Sequence, residues 1–180
     1  MIKKLYDAPP VSKEEILRYA RCPHPTKEVE ELLESALDEA LPHFTYSVAY
    51  GDVSEAGEKL KDAFKNGGVV FVASVGAGID RLVRRYSQTD TARALMLQAI
   101  GAERIEALCD AFCADMEKEH AERGVRLKKR VSPGYKGYPL ELQRDIFNAL
   151  DCARAIGVSL TDSLLMVPSK SVSAVLEFDI

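Results

Sequence analysis

The stretch VVFVAS, Val69 to Ser74, does most to limit what this chain can become. It is almost wholly apolar and lacks the alternation of a strand with one wet face. Such a run reads as a strand buried on both faces. The next residues, Val75-Gly76-Ala77-Gly78, turn it into a helix expected from about Ile79 to Tyr86. The rest of the chain must therefore supply cover for a central strand. At 180 residues it is long enough to do so as one domain.

The remaining pattern supplies mostly helices. Ser12 with Glu15 makes a capping box, predicting a helix to about Arg21. Cys22-Pro23-His24-Pro25 breaks it, and a second helix runs from Thr26 to about Leu41 before Pro42. Residues 1 to about 43 thus read as a helical N-terminal part. FTYSVAY, Phe44 to Tyr50, alternates like a half-buried strand. Asp52 with Glu55 opens a helix to about Asn66, closed by Gly67-Gly68. The longest helix is capped by Asp90 or Thr91 and reaches roughly Arg123, with Gly101 as a place for a bend.

A strand from Arg126 to Val131 follows, then a loop, then a helix whose first turn holds Pro139. That helix carries Leu142, Ile146, Leu150 and Ala153 and stops at Gly157. LLMVP and SVSAVLEF read as two last strands about a turn at Pro168 to Lys170. Strands and helices do not alternate as in a doubly wound fold. The expectation is a single α+β domain over residues 1–180, a mixed, mostly antiparallel sheet with helices packed on it.

Several classes of function are disfavoured. No apolar run approaches the roughly 18 residues of a membrane span, and MIKKLYDAPPVSKEE has no apolar segment after its lysines. A cytoplasmic location is the expectation. The net charge of −4 argues against broad nucleic-acid binding. The one basic cluster, RGVRLKKR, reads as a solvated edge strand. Cys22, Cys109, Cys113 and Cys152 are expected as reduced thiols. Cys109 and Cys113 lie one helical turn apart, but a structural zinc site needs four ligands, so small core residues are the better reading.

Four places could carry chemistry. Gly76-Ala77-Gly78 sits between strand and helix, where free N–H groups could hold an anion. The third glycine of a dinucleotide fingerprint is missing, since Arg81 stands there. The plainer reading is a tight turn allowing close packing. The second place is RVSPGY, Arg130 to Tyr135. Arg130 can grip a carboxylate with two parallel hydrogen bonds, Pro133-Gly134 shapes the backbone, and Tyr135 adds a flat amphipathic surface. An ordinary turn with an exposed arginine weighs equally. Third, Ser169, Ser171 and Ser173 share one face of an extended segment. No positioned base accompanies them, so small polar residues on a strand fit better than a nucleophile. Fourth, Asp110 sits on the long helix, either as a surface carboxylate or as a charge aimed at a site.

RVSPGY, then PLELQRDIFNALD, then IGVSLTDSLLMVPSKSVSAV, together resemble the activation domain of cobalamin-dependent methionine synthase, in a short free-standing form. ASVGAGIDRLVRRY and IGAERIEALCDAF fit the same pattern, so the likeness spans roughly Val69 to Val175. It implies a vitamin B12-dependent, non-catalytic subunit that binds S-adenosylmethionine and docks on a methionine synthase or related corrinoid protein. The cobalamin is carried by that partner. An electron from a flavodoxin or a reductase and a methyl group from S-adenosylmethionine would restore methylcobalamin from cob(II)alamin. By resemblance, Arg130 grips the ligand carboxylate, and the backbone at Ser132 and Gly134 lines its pocket. Asp110 faces its cationic end, and Tyr135 points at the partner's corrin. Gly76, Gly78, Ser171 and Ser173 are further candidates for the pocket lining.

Larger members of the family continue past the last matching strand with a segment that contacts the ligand, whereas this sequence stops at Ile180. The rival expectations are a docking module without a ligand, and a nucleotide-dependent oxidoreductase or ordinary methyltransferase using Gly76 to Gly78.

Overall fold

The computed structural model describes residues 1–179. The apolar run Val69 to Ser74 lies in β3 (Gly68–Ser74), and every residue of this strand is buried. It lies inside a four-stranded sheet with β1 (Ile2–Tyr6), β2 (Tyr46–Asp52) and β6 (Ser171–Glu177), in the order β1-β2-β3-β6. All three pairings are antiparallel. An antiparallel sheet often leaves one face wet, but here both faces are covered, which is why β3 shows no alternation.

On one face Val69, Phe71 and Ala73 pack under α1 (Lys13–Tyr19), α2 (Lys27–Ala40), α4 (Gly78–Tyr86) and α5 (Thr91–Ala121). Phe71 meets Phe112 of α5 with ring centroids 4.6 Å apart. On the other face Val70 and Val72 pack under α3 (Glu58–Ala63), α6 (Leu142–Leu150) and α7 (Cys152–Ile156). The result is an α+β domain of helix, sheet and helix layers.

The caps show how the sequence starts these helices. Ser12 Oγ accepts from the Glu15 N–H at 3.3 Å, and Asp90 Oδ1 accepts from the Arg93 N–H at 2.9 Å. The Ser12 box is only half made. The Ser12 N–H donates to Glu103 at 3.0 Å, while the Glu15 carboxylate turns to Arg18. Glu103 and Arg104 form a buried ion pair, and Arg104 also donates to the carbonyls of Pro9 and Pro10. This clasp holds the N-terminal loop on α5.

Five expectations are corrected. Residues 2–6 are not in a helical part but form edge strand β1, whose Lys4 and Tyr6 both bond Asp115 of α5. The helix expected over 52–66 is a 3-10 turn (Val53–Glu55) and then α3, separated by Gly57 at φ 94°. The helix expected to reach Gly157 breaks at Asp151, which is left-handed at φ 42°.

The strand expected from Arg126 to Val131 makes only two isolated bridges, Leu127 to Phe178 and Val131 to Val175. Three residues separate the bridged positions on its side and two on the other, so the pairing is bulged. Finally, the last two strands do not pair with each other. β5 (Met166–Val167) joins β4 (Ser159–Leu160) in a small ribbon, while β6 joins β3.

Candidate ligand-binding site

The bulge places Arg130 where the chain leaves β6. From Val131 onward the segment departs from the sheet edge, and Val172 and Ser173 of β6 border a cavity there instead of a strand. The cavity has a volume of about 540 Å³, within the range of small-molecule sites. Its walls come from α5 (Glu106), the loop after Arg130, α6 (Gln143), β5 (Met166) and β6 (Val172 and Ser173).

Two consecutive turns build the loop. Tyr135 N–H donates to the Ser132 carbonyl at 3.1 Å, with Pro133 and Gly134 as the central pair and Gly134 at φ 88°. That is the geometry for which Pro-Gly is preferred. Tyr138 N–H then donates to the Tyr135 carbonyl at 3.0 Å across Lys136 and Gly137, both left-handed. Gly134 N–H closes the loop onto the Tyr138 carbonyl at 2.8 Å. Tyr138 stacks on Phe64 at 4.5 Å, which anchors the base, while Tyr135 at the tip is 70% exposed.

Arg130 is mostly buried, and its Nη2 pairs with Glu106 and lies 3.5 Å from Asp110 Oδ1. Among the described residues both side-chain contacts of Arg130 run through Nη2, which leaves its other guanidinium N–H groups for a carboxylate. Glu106 and Asp110 are four residues apart on α5 and therefore share one face. Sequence reading singled out Asp110 and missed Glu106. Asp110 is 75% exposed, whereas Glu106 is 39% exposed and lines the cavity. The i, i+4 spacing of Glu106 and Asp110 on one long helix was the available signal.

Arg130, Ser132 and Tyr135 line the cavity together with Ser173. Gly134 lies between the lining residues Pro133 and Tyr135. Ser171 is turned elsewhere, with its hydroxyl 2.8 Å from the Pro168 carbonyl and 3.0 Å from Ser74 Oγ.

Gly76 and Gly78 are also outside the cavity lining. A Cβ on Gly76 would stand 2.4 Å from Thr45 Oγ1, and one on Gly78 2.1 Å from the His43 carbonyl oxygen. That turn is filled by protein. Cys109 is buried, and burial pushes the Cys113 thiol up to about 11, so it is protonated at neutral pH. Among the described residues no three His, Cys, Asp or Glu side chains gather as a metal site.

Comparison with known proteins follows the same outline. The sequence pattern of the family described as "Vitamin B12 dependent methionine synthase, activation domain" matches residues 53–178, and the chain belongs to this family. Among solved structures, it is similar to the MetH reactivation domain bound to AdoHcy, with a TM-score of 0.63 and 16% identity. The match covers 83% of this chain and 65% of that one, and at this identity it speaks for the fold. A comparison with curated proteins returns no match. No helix among the described residues is long and apolar enough to cross a membrane.

Proposed function

We propose that this chain is a reactivation component that binds S-adenosylmethionine beside Arg130 and docks on a cobalamin-carrying methionine synthase or related corrinoid protein. The observation that carries the reading is Arg130 set in a cavity with two carboxylates next to it. S-adenosylmethionine has a carboxylate and an ammonium on one carbon, and a sulfonium nearby. A fixed guanidinium with free N–H groups beside an acidic pair complements that end. The AdoHcy of the structural relative and the family membership support the same ligand class.

Tyr135, Leu140, Leu165 and Val167 are exposed apolar side chains, and the first two line the cavity. They would form the docking face toward the partner's corrin, with Tyr135 foremost. The corrinoid supplies the methyl-accepting metal centre, and a flavodoxin or reductase supplies the electron. This chain binds, orients and shields. Its role would then be that of an accessory subunit to the partner's chemistry.

Calorimetric titration with S-adenosylmethionine tests the ligand. Arg130→Ala should weaken binding roughly 100-fold, the scale of a lost charge-assisted pair. Absence of binding by the wild-type protein would overturn the ligand assignment. A second reading, docking without a ligand, draws on the Glu106 carboxylate already occupying Arg130. Capture of a corrinoid protein by a chain that gives no heat with the ligand would favour it.

A further inference from the structure

Gln143 is 4% exposed, yet it lines the cavity. Its Nε2 donates to the Leu164 carbonyl at 2.9 Å. A carbonyl oxygen only accepts, so chemistry fixes this amide: the nitrogen must face Leu164 and Oε1 must face away. Among the described residues no donor reaches Oε1, and the one sealed side-chain polar atom without a partner is Tyr46 Oη. Gln143 Oε1 is therefore not sealed from solvent, and the open space that Gln143 borders is this cavity. Ser173, 3% exposed, lines the same space with a hydroxyl that has no partner among the described residues. Beside the charged side chains of Arg130, Glu106 and Lys136, the cavity thus holds a second, neutral group: one locked acceptor and one hydroxyl free to turn.

We propose that Gln143 is the specificity-determining residue for the base of the nucleoside, its Oε1 accepting a hydrogen bond from an exocyclic amine such as the 6-amino group of adenine. The assignment rests on the ligand reading above. The ligand's ammonium is bonded to the same carbon as its carboxylate, so both belong with Arg130 and Glu106. A neutral amide oxygen then suits a neutral N–H from the rest of the molecule.

Discrimination follows from the lock. A base with a 6-oxo group would set oxygen against Oε1. The amide cannot turn to meet it, because its own oxygen would then face the Leu164 carbonyl. The Ser173 hydroxyl can rotate to donate or accept, so it tolerates either base.

The test compares S-adenosylhomocysteine with its 6-oxo counterpart, S-inosylhomocysteine, by calorimetry on the full chain. The wild-type protein should prefer the amino ligand by roughly 10- to 100-fold, the range for leaving one buried polar group unpaired. Gln143→Met, similar in length without the amide, should bind the two alike. Arg130→Ala should weaken both by one factor and keep the preference. Equal binding of the two by the wild-type protein, or a preference that survives in Gln143→Met, overturns the role of Gln143 and leaves the ligand reading standing. Binding of neither overturns both. The wild-type comparison needs no variant, so it holds even if Gln143→Met folds poorly.

Discussion

Gly76-Ala77-Gly78 and Ser132-Pro133-Gly134 both follow extended backbone and both precede a helix, but their surroundings differ. At the first, protein fills the space: the 3-10 turn Leu41–His43 and Thr45 press against the two glycines. At the second, a Cβ on Gly134 would meet only the Leu140 side chain, at 3.4 Å, and the loop beyond borders open volume. Glycine serves close packing in the first turn, where Gly76 is also left-handed at φ 80°, and backbone direction alone in the second. A glycine-bearing turn between strand and helix is therefore not yet a ligand site. What decides is whether anything already occupies the approach.

The sharpest way to break this comparison is Gly78→Ala. The new methyl would lie 2.1 Å from the His43 carbonyl oxygen, a backbone atom that cannot move alone. Overpacking of this kind costs about 3 kcal/mol, which for a chain of this size lowers Tm by about 6–12 °C. Thermal and urea unfolding measure it. A near-neutral result would mean that the turn has slack and could admit a ligand after all.

The same contrast explains what could be read in the sequence. β3, α4 and α5 follow from local signals: a continuous apolar run, a glycine turn and the Asp90 cap. β1 did not, because IKKLY is short, charged and exposed, and its place depends on pairing with β2 and on Asp115, more than a hundred residues away. The bulge at Arg130 was hidden for a related reason, since a change of register belongs to two segments at once. At the site, Arg130, Ser132 and Tyr135 were legible as one crowded turn. Glu106 and Gln143 were not, because each reaches the cavity from its own helix, and only the packing of α5 and α6 brings them there.

Gly134→Ala is the milder counterpart. Gly134 has φ 88°, a region costly for any side chain, but its surroundings are open. The loss should be about 1 kcal/mol, from backbone strain alone. Ligand affinity should fall several-fold, because Ser132 and Tyr135 hang on this turn. If Gly134→Ala destabilises as much as Gly78→Ala, the loop is packed rather than open, and the distinction fails.

The smallest effect belongs to Lys136, the one lysine at positive φ, 51°, among the described residues. It precedes Gly137 at φ 83°, so Tyr135 to Tyr138 turn with both central residues left-handed. Asparagine and glycine are favoured there, and lysine carries a cost of about 1 kcal/mol. Lys136→Gly would relieve that strain but loosen the unfolded chain by about as much, leaving stability nearly unchanged. Lys136→Asn relieves part of the strain without that entropy and should stabilise by about 0.5 kcal/mol in urea unfolding. A loss instead would show the lysine side chain holding the folded loop. A gain in stability accompanied by weaker ligand binding would show why a strained lysine is tolerated: it lines the cavity, and its charge acts on the ligand rather than on the fold.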